Sequence, residues 1–136
     1  MAQAIYNNAN CMGYAFSKNK WMIPHGWNTD GMEEAVQFVL SHFGSRVKFY
    51  KQYSKTQGQQ MVQQLPLGKT FVVLREEDKF GEDFHFVKRL PSGHWRHKRG
   101  SHSIEPVTAK WVAQQRWPML GSLTYGASYF VFEVQE

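Results

Sequence analysis

The sequence of 136 residues contains a single cysteine, Cys11, and this scarcity excludes two classes of small protein. One cysteine cannot form an internal disulfide, so no disulfide framework holds the fold together. A zinc site built from several cysteines is excluded as well, because only histidines and carboxylates remain as metal ligands. We expect no metal and no cofactor, since metal-site spacing is missing among the loop and surface histidines His25, His42, His94 and His102.

Long apolar runs are also missing from the sequence. No window approaches the roughly 20 apolar residues that a membrane-spanning helix needs. The N-terminus has no charged stretch followed by an apolar segment of signal-peptide length. We therefore expect a soluble, cytoplasmic protein without a membrane partner, while export by another route stays open.

The sequence has few acidic residues, 11 against 16 basic ones, and its formal net charge is +5. This excess favours acidic partners, such as nucleic acid, anionic cell-wall polymers or an acidic protein, and predicts weak, salt-sensitive polyanion binding. Aromatic residues make up 15% of the chain, which favours a folded core over a disordered basic tail. The length and the absence of a linker predict one domain over residues 1–136.

The apolar pattern predicts an α+β fold in which N-terminal helices pack on an antiparallel β-sheet. A short helix is expected to start at Cys11, and a longer one runs from residue 29 or 30 to Gly44. The glutamine-rich segment 57–64 stays open, although Met61, Val62 and Leu65 fit a short helix before Pro66. The pattern of 107–117 is ambiguous. Strands are predicted at 46–53, 70–74, 83–89, 94–99 and 129–134.

Cys11 follows Asn10, a good N-cap residue, and therefore falls in the first turn of the predicted helix. Unpaired amides and the positive end of the helix dipole stabilise a thiolate there, which predicts a lowered pKa for the thiol. A cysteine nucleophile also needs a histidine, which must come from a distant segment. The alternative is an inert buried thiol.

Two histidines lie on the predicted strands that flank the turn Leu90-Pro91-Ser92-Gly93. A type I turn closed by Gly93 as a bulge pairs residue 90 with residue 94 and residue 87 with residue 97. In this register His85 and His97 project from the same face of the sheet. A register shifted by one residue would separate them onto opposite faces.

These segments resemble the papain-like superfamily of cysteine hydrolases, in its small bacterial and phage forms. The matching pieces are Asn10-Cys11-x-x-Tyr14-Ala15, Asp83-Phe84-His85-Phe86, Gly93-x-Trp95-x-His97-Lys98-x-Gly100 and the late strand Tyr129-Phe130-Val131-Phe132. Their order is similar to that of papain-like enzymes, with the nucleophile on an N-terminal helix and the histidine on a strand of the sheet. The polar orienting residue follows on the neighbouring strand, and in NlpC-like cell-wall endopeptidases it is often a histidine.

The resemblance implies a papain-like fold in which Cys11 is the nucleophile, His85 the general base and His97 the residue that orients His85. It implies a peptidase or amidase that acts through an acyl-thioester on a peptide or amide substrate, such as a cell-wall peptide or a host protein. Amide hydrolysis, acyl transfer and deamidation use the same chemistry, and all three stay open.

The oxyanion donor departs from the papain pattern, because no glutamine stands a few residues before Cys11 and Gln3 is too far upstream. The Cys11 amide together with a side chain from the asparagine-rich stretch before it is the candidate replacement. The candidate oxyanion-binding or substrate-binding residues are Asn8, Asn10 and Trp95.

The second hypothesis is a non-catalytic module that binds a host protein or nucleic acid through a basic and aromatic surface. Aromatic side chains interleaved with cations can hold nucleic-acid bases and phosphates together. The residues that would form this surface are Lys48, Phe49, Tyr50, Lys51, Tyr53, Lys55, Trp95, Arg96, Lys98 and Arg99.

Overall fold

The computed structural model describes residues 6–23, 32–77, 83–118, 124–126 and 128–135. The helices are α1 (Cys11–Ala15), α2 (Met32–Phe43), α3 (Gly58–Gln64) and α4 (Ala109–Val112), with a 3₁₀ turn at Gly44–Arg46. The strands are β1 (Val47–Tyr53), β2 (Thr70–Glu76), β3 (Phe84–Arg89), β4 (Trp95–Lys98), β5 (Ile104–Val107), β6 (Trp117–Pro118), β7 (Thr124–Tyr125) and β8 (Tyr129–Val134).

Six strands form one sheet in the order β1-β8-β2-β3-β4-β5, and each neighbouring pair is antiparallel. Strands β6 and β7 pair separately. The predicted α+β class and the strands near 46–53, 70–74, 83–89, 94–99 and 129–134 are confirmed, and the segment 57–64, which the sequence left open, contains a short helix. None of the helices in the part of the chain that the structure describes is both long and apolar enough to cross a membrane.

Each face of the sheet carries its own core, because alternate residues of a strand point to opposite faces. On β2, Val72 and Leu74 belong to a core with helices α1 and α2, and we name it the α1/α2 core. Phe71 and Val73 of the same strand belong to the α3/α4 core on the other face. The central strand β2 is buried along almost its whole length between these cores.

Strand β5 was not predicted from the sequence. It contains Pro106, which lacks an N–H donor and therefore argues against a strand in the middle of a sheet. The structure places β5 at the edge of the sheet, where proline is tolerated because one side of the strand has no partner to satisfy. Helix α2 ends at Phe43, before Gly44, as expected. The predicted start of this helix at residue 29 or 30 lies outside the described residues.

Helix α1 is five residues long, and its start and its packing have local causes. The Asn10 side chain accepts a hydrogen bond from the Gly13 amide at 3.0 Å, which is the expected N-cap. At Gly13 a Cβ atom would collide with the backbone oxygen of Lys20. Glycine therefore lets the segment after α1 return across the helix, and α1 packs on β3 and β4.

Candidate active site

Strands β3 and β4 pair in the predicted register. Lys88 lies opposite Arg96, and the Leu90 amide donates to the His94 carbonyl at 2.8 Å. Gly93 adopts a φ of 98°, the left-handed conformation that closes the turn. The prediction that His85 and His97 share a face is confirmed, since His85 Nε2 and His97 Nδ1 lie 2.9 Å apart.

Aromatic side chains surround this histidine pair and bury it. His85 and His97 are 2% and 4% exposed. The ring of His85 lies against Trp117 and Tyr125, and the ring of His97 lies against Trp111. Because burial disfavours the charged imidazolium, both histidines are neutral at physiological pH.

The two histidines differ in what else acts on their pKa. Burial holds the pKa of His85 well below its usual range, and a proton on His97 and the charge of Arg99 both act in the same direction. Burial lowers the pKa of His97 to about 4, the Glu105 carboxylate opposes this, and Arg99 adds to it. The hydrogen bond between the rings uses Nε2 of His85, so Nδ1 is the nitrogen with which His85 can act as a base.

Cys11 and His85 line the same pocket, which has a volume of about 260 Å³. Cys11 comes from the first turn of α1, and His85 comes from the N-terminal end of β3. Two strongly exposed apolar residues, Trp21 and Ile23, also line this pocket. Its polar lining consists of Asn10, Asp83, Arg99 and Tyr125.

The expectation of a lowered pKa for the Cys11 thiol is wrong for the free protein. Cys11 is only 6% exposed, and burial raises the pKa of its thiol to about 12. Backbone hydrogen bonds from Phe86 and the start of α1 act in the opposite direction, while the charge of Asp83 raises the pKa further. A helix of five residues supplies too small a dipole to offset the loss of water. The resting cysteine is therefore a neutral thiol.

Of the three predicted oxyanion or substrate-binding residues, only Asn10 reaches the pocket. Its Oδ1 accepts from the amides of Gly13 and Met22, and its Nδ2 donates to the Met22 carbonyl at 2.7 Å. One hydrogen of the Nδ2 group is still available after this bond, since an amide group carries two. Asn10 thus fixes the segment that carries Trp21 and Ile23 as well as capping α1.

Asn8 and Trp95 do not take part in the pocket. Asn8 is exposed, and its backbone amide donates to the Asn19 side chain at 2.8 Å. Trp95 is 4% exposed and belongs to the α3/α4 core. The large apolar ring of Trp95 is a packing residue of the sheet, which is the ordinary place for a buried tryptophan on a strand.

Tyr125 and Asp83 form a hydrogen-bonded pair in the pocket that the sequence did not predict. The Tyr125 hydroxyl donates to Asp83 Oδ2 at 2.6 Å, and the Phe84 amide donates to Oδ1 at 2.8 Å. Burial and this hydrogen bond raise the pKa of Tyr125. The sequence could have placed Asp83 in the pocket, because it stands two residues before His85. No pattern around Tyr125 indicates that this residue reaches the pocket.

The predicted basic and aromatic surface is not brought together as one face. Tyr53, Trp95 and Lys98 are buried, and Arg99 is bonded to Glu105 at 2.7 Å. Strand β1 is separated from β4 by three other strands, so its exposed lysines lie far from Arg96.

Among the described residues, no three histidine, cysteine, aspartate or glutamate side chains are grouped as metal ligands would be. No protein-family model, curated protein or solved structure matches this chain. The assignment of a function therefore depends on the geometry of the pocket and on the chemistry of its residues.

Proposed function

We propose that the protein is a papain-like cysteine hydrolase, a peptidase or amidase that forms an acyl-thioester on Cys11. The observation that carries the proposal is that His85, hydrogen-bonded to the buried His97, lines the same pocket as Cys11. A nucleophile, a base and a residue that orients the base are the components that acyl transfer by a thiol requires.

The Cys11 thiol and the His85 imidazole are both neutral at the start, and this determines how the first step proceeds. In the tautomer in which His85 Nε2–H donates to His97 Nδ1, the Nδ1 atom of His85 is free of a proton and can accept one. The Cys11 sulfur attacks the substrate carbonyl carbon as its proton moves to this Nδ1 atom. The His85 imidazolium is stabilised because its Nε2–H donates a hydrogen bond to His97 Nδ1. The proton itself stays on His85.

The second step releases the leaving group and then restores the enzyme. The His85 imidazolium gives its proton to the amide nitrogen, the C–N bond breaks, and the acyl group stays on Cys11. Water attacks the thioester carbonyl as His85 Nδ1 takes its proton. The C–S bond then breaks, this proton passes from His85 to the Cys11 sulfur, and the carboxylic acid leaves. Donors for the oxyanion are the Cys11 backbone amide and the second Nδ2 hydrogen of Asn10.

Acylation by p-nitrophenyl acetate tests this proposal. The wild-type protein is expected to release a burst of p-nitrophenol close to one equivalent, with the acetyl group on Cys11 by mass spectrometry. His85→Ala should lower the acylation rate by about 100-fold or more, because the base is removed. His97→Ala should have a smaller effect, since it removes only the orienting contact.

His94→Ala is the matched control, because His94 lies exposed on the same hairpin. It should acylate at the wild-type rate. If His85→Ala, still folded, acylates as fast as the wild type, His85 is not the base and the enzyme proposal is wrong.

A second candidate function, anion binding, is favoured by another pocket of about 390 Å³. Arg46, Lys48 and Lys69 line it, and Glu133 lies 3.6 Å from Lys69. This pocket also includes Pro91, beyond the C-terminal end of β3, so it lies at the other end of that strand from Cys11. Retention on heparin should fall steeply between low and high salt. Retention that Lys48→Gln plus Lys69→Gln leaves unchanged would contradict binding here.

A further inference from the structure

Lys98 is a buried cation that joins the two segments between which the pocket opens. The residue is 3% exposed. Its Nζ atom donates to the Ala9 carbonyl at 2.5 Å and to the Gly100 carbonyl at 2.8 Å. Ala9 stands two residues before Cys11, and Gly100 lines the pocket. Lys98 follows His97 directly on β4, so it ties the Cys11 segment to the strand that carries His97.

The two partners of Lys98 are uncharged, so they satisfy its hydrogen bonds without neutralising its charge. Among the described residues, neither the ion pair Lys69–Glu133 nor the ion pair Arg99–Glu105 includes Lys98. A buried ammonium without a counter-ion is unfavourable. Such a charge becomes favourable when a negative charge forms beside it.

We propose that Lys98 is a positioning residue of the Cys11 site, whose buried ammonium holds the Ala9 segment and stabilises the negative charge that develops on the sulfur. The two hydrogen bonds carry the positioning part. The place of the ammonium, buried and bonded to the carbonyl two residues before Cys11, carries the second part. Burial lowers the pKa of Lys98, and a Cys11 thiolate acts in the opposite direction, as expected for an ion pair. The inference rests on the role proposed above for Cys11.

Other charged groups near Cys11 also affect the charge on its sulfur. A test must therefore separate their effects from that of Lys98. Asp83 opposes a negative charge on the sulfur. Arg99 is bonded to Glu105, which balances its charge. The remaining titratable groups that line the pocket are His85 and Tyr125.

Alkylation by iodoacetamide measures the thiolate of Cys11 without any need for a substrate. Lys98→Met removes the charge and keeps the length of the side chain. At the same pH, we expect it to be alkylated about tenfold more slowly than the wild type or slower still, because an opposite charge at close range shifts a pKa by about one to three. The ratio of the two rates should shrink as the pH rises through the pKa of Lys98, a change that a purely structural role would not produce.

Lys88→Met is the matched control. Lys88 is also buried, donates to the Ser17 hydroxyl at 2.9 Å and lies over the Tyr14 ring, so it contacts the other end of α1. Its loss should leave the alkylation rate within about threefold of the wild type. Lys98→Arg, which keeps the charge, should do the same. An equal loss of rate in the Lys88 variant would overturn the proposal, because disturbed packing of α1 would then explain both.

Folding failure of Lys98→Met does not remove the test. Lys98→Gln keeps a donor for the carbonyls without the charge and should also be alkylated slowly. If neither neutral variant folds, Lys98→Arg decides, since a tenfold loss in this charged variant contradicts the electrostatic role. Unchanged alkylation in Lys98→Met overturns the present inference, whereas unchanged acylation in His85→Ala overturns the function proposed for Cys11. The two failures are therefore distinct.

Discussion

The neutral state of buried His97 predicts a stability that falls in mild acid, and one substitution should remove part of that fall. In the unfolded chain the imidazole takes up a proton below its ordinary pKa of 6.5, whereas in the folded protein it does so only near 4. Between these values unfolding binds a proton, so the free energy of unfolding falls as the pH falls. From about pH 7 to about pH 5, His97 alone should account for a loss of about 2 kcal/mol.

Urea denaturation followed by tryptophan fluorescence measures this loss, because the chain has five tryptophans and two of them, Trp111 and Trp117, lie beside the histidine pair. The comparison is between the wild type and His97→Gln, each at the two pH values. The variant should lose about 2 kcal/mol less than the wild type over this interval. Carboxylates contribute in both proteins and largely cancel. His97 also lowers the pKa of His85, so its replacement reduces the contribution of His85 and acts in the same direction.

His94→Gln provides the control for this experiment, since His94 is exposed on the same hairpin. It should follow the wild type at both pH values. If His97→Gln loses as much stability as the wild type, His97 is already protonated in the folded protein near pH 5. In that case the pair is not neutral, and the mechanism proposed for His85 needs a different starting state.

Three further substitutions test other parts of the structure. Gly13→Ala should lower the free energy of unfolding in urea by about 2 kcal/mol, because a Cβ would collide with the Lys20 carbonyl. An unchanged midpoint of the urea transition would contradict this close approach. Arg75→Met should cost about 3 kcal/mol in thermal unfolding, since Arg75 is fully buried and donates to the carbonyls of Gln114 and Gln115, just after α4. A loss below about 1 kcal/mol would contradict a stabilising role for these bonds. Tyr125→Phe should cost about 1 kcal/mol in urea through the lost bond to Asp83, and no loss would show that this bond does not stabilise the fold.

The sheet could be predicted from the sequence where local chemistry and alternation agree. The turn Pro91-Ser92-Gly93 determines the register of β3 and β4, and that register places His85 beside His97. Strand β5 could not be predicted, because Pro106 is acceptable only at an edge, and the edge position is a property of the whole sheet.

The residues that form the candidate site could be predicted from the sequence, whereas their surroundings could not. Cys11, His85 and His97 stand in recognisable local patterns, and the structure brings Cys11 and His85 to one pocket. Lys98 stands in the basic run 96–99, which is typical of a solvated face. Alternation along β4 places Arg96 and Lys98 on the same face. Arg96 is exposed there while α1 packs over Lys98, and only the tertiary structure reveals this difference.

The neutral thiol and the neutral imidazole together determine how the proposed reaction must be driven. Moving a proton from a thiol of pKa about 12 to an imidazole of pKa below 6.5 is unfavourable by about 7 kcal/mol or more in the free protein. A turnover of about 10 per second corresponds to a barrier of about 16 kcal/mol, and a proton transfer completed before attack would use nearly half of it. This cost favours attack on the carbonyl while the proton moves. The ammonium of Lys98 and the oxyanion donors reduce that cost only as charge develops on the sulfur and the carbonyl oxygen. Because His85 stays unprotonated well below neutral pH, acylation should persist into mildly acidic solution until its imidazole takes up a proton.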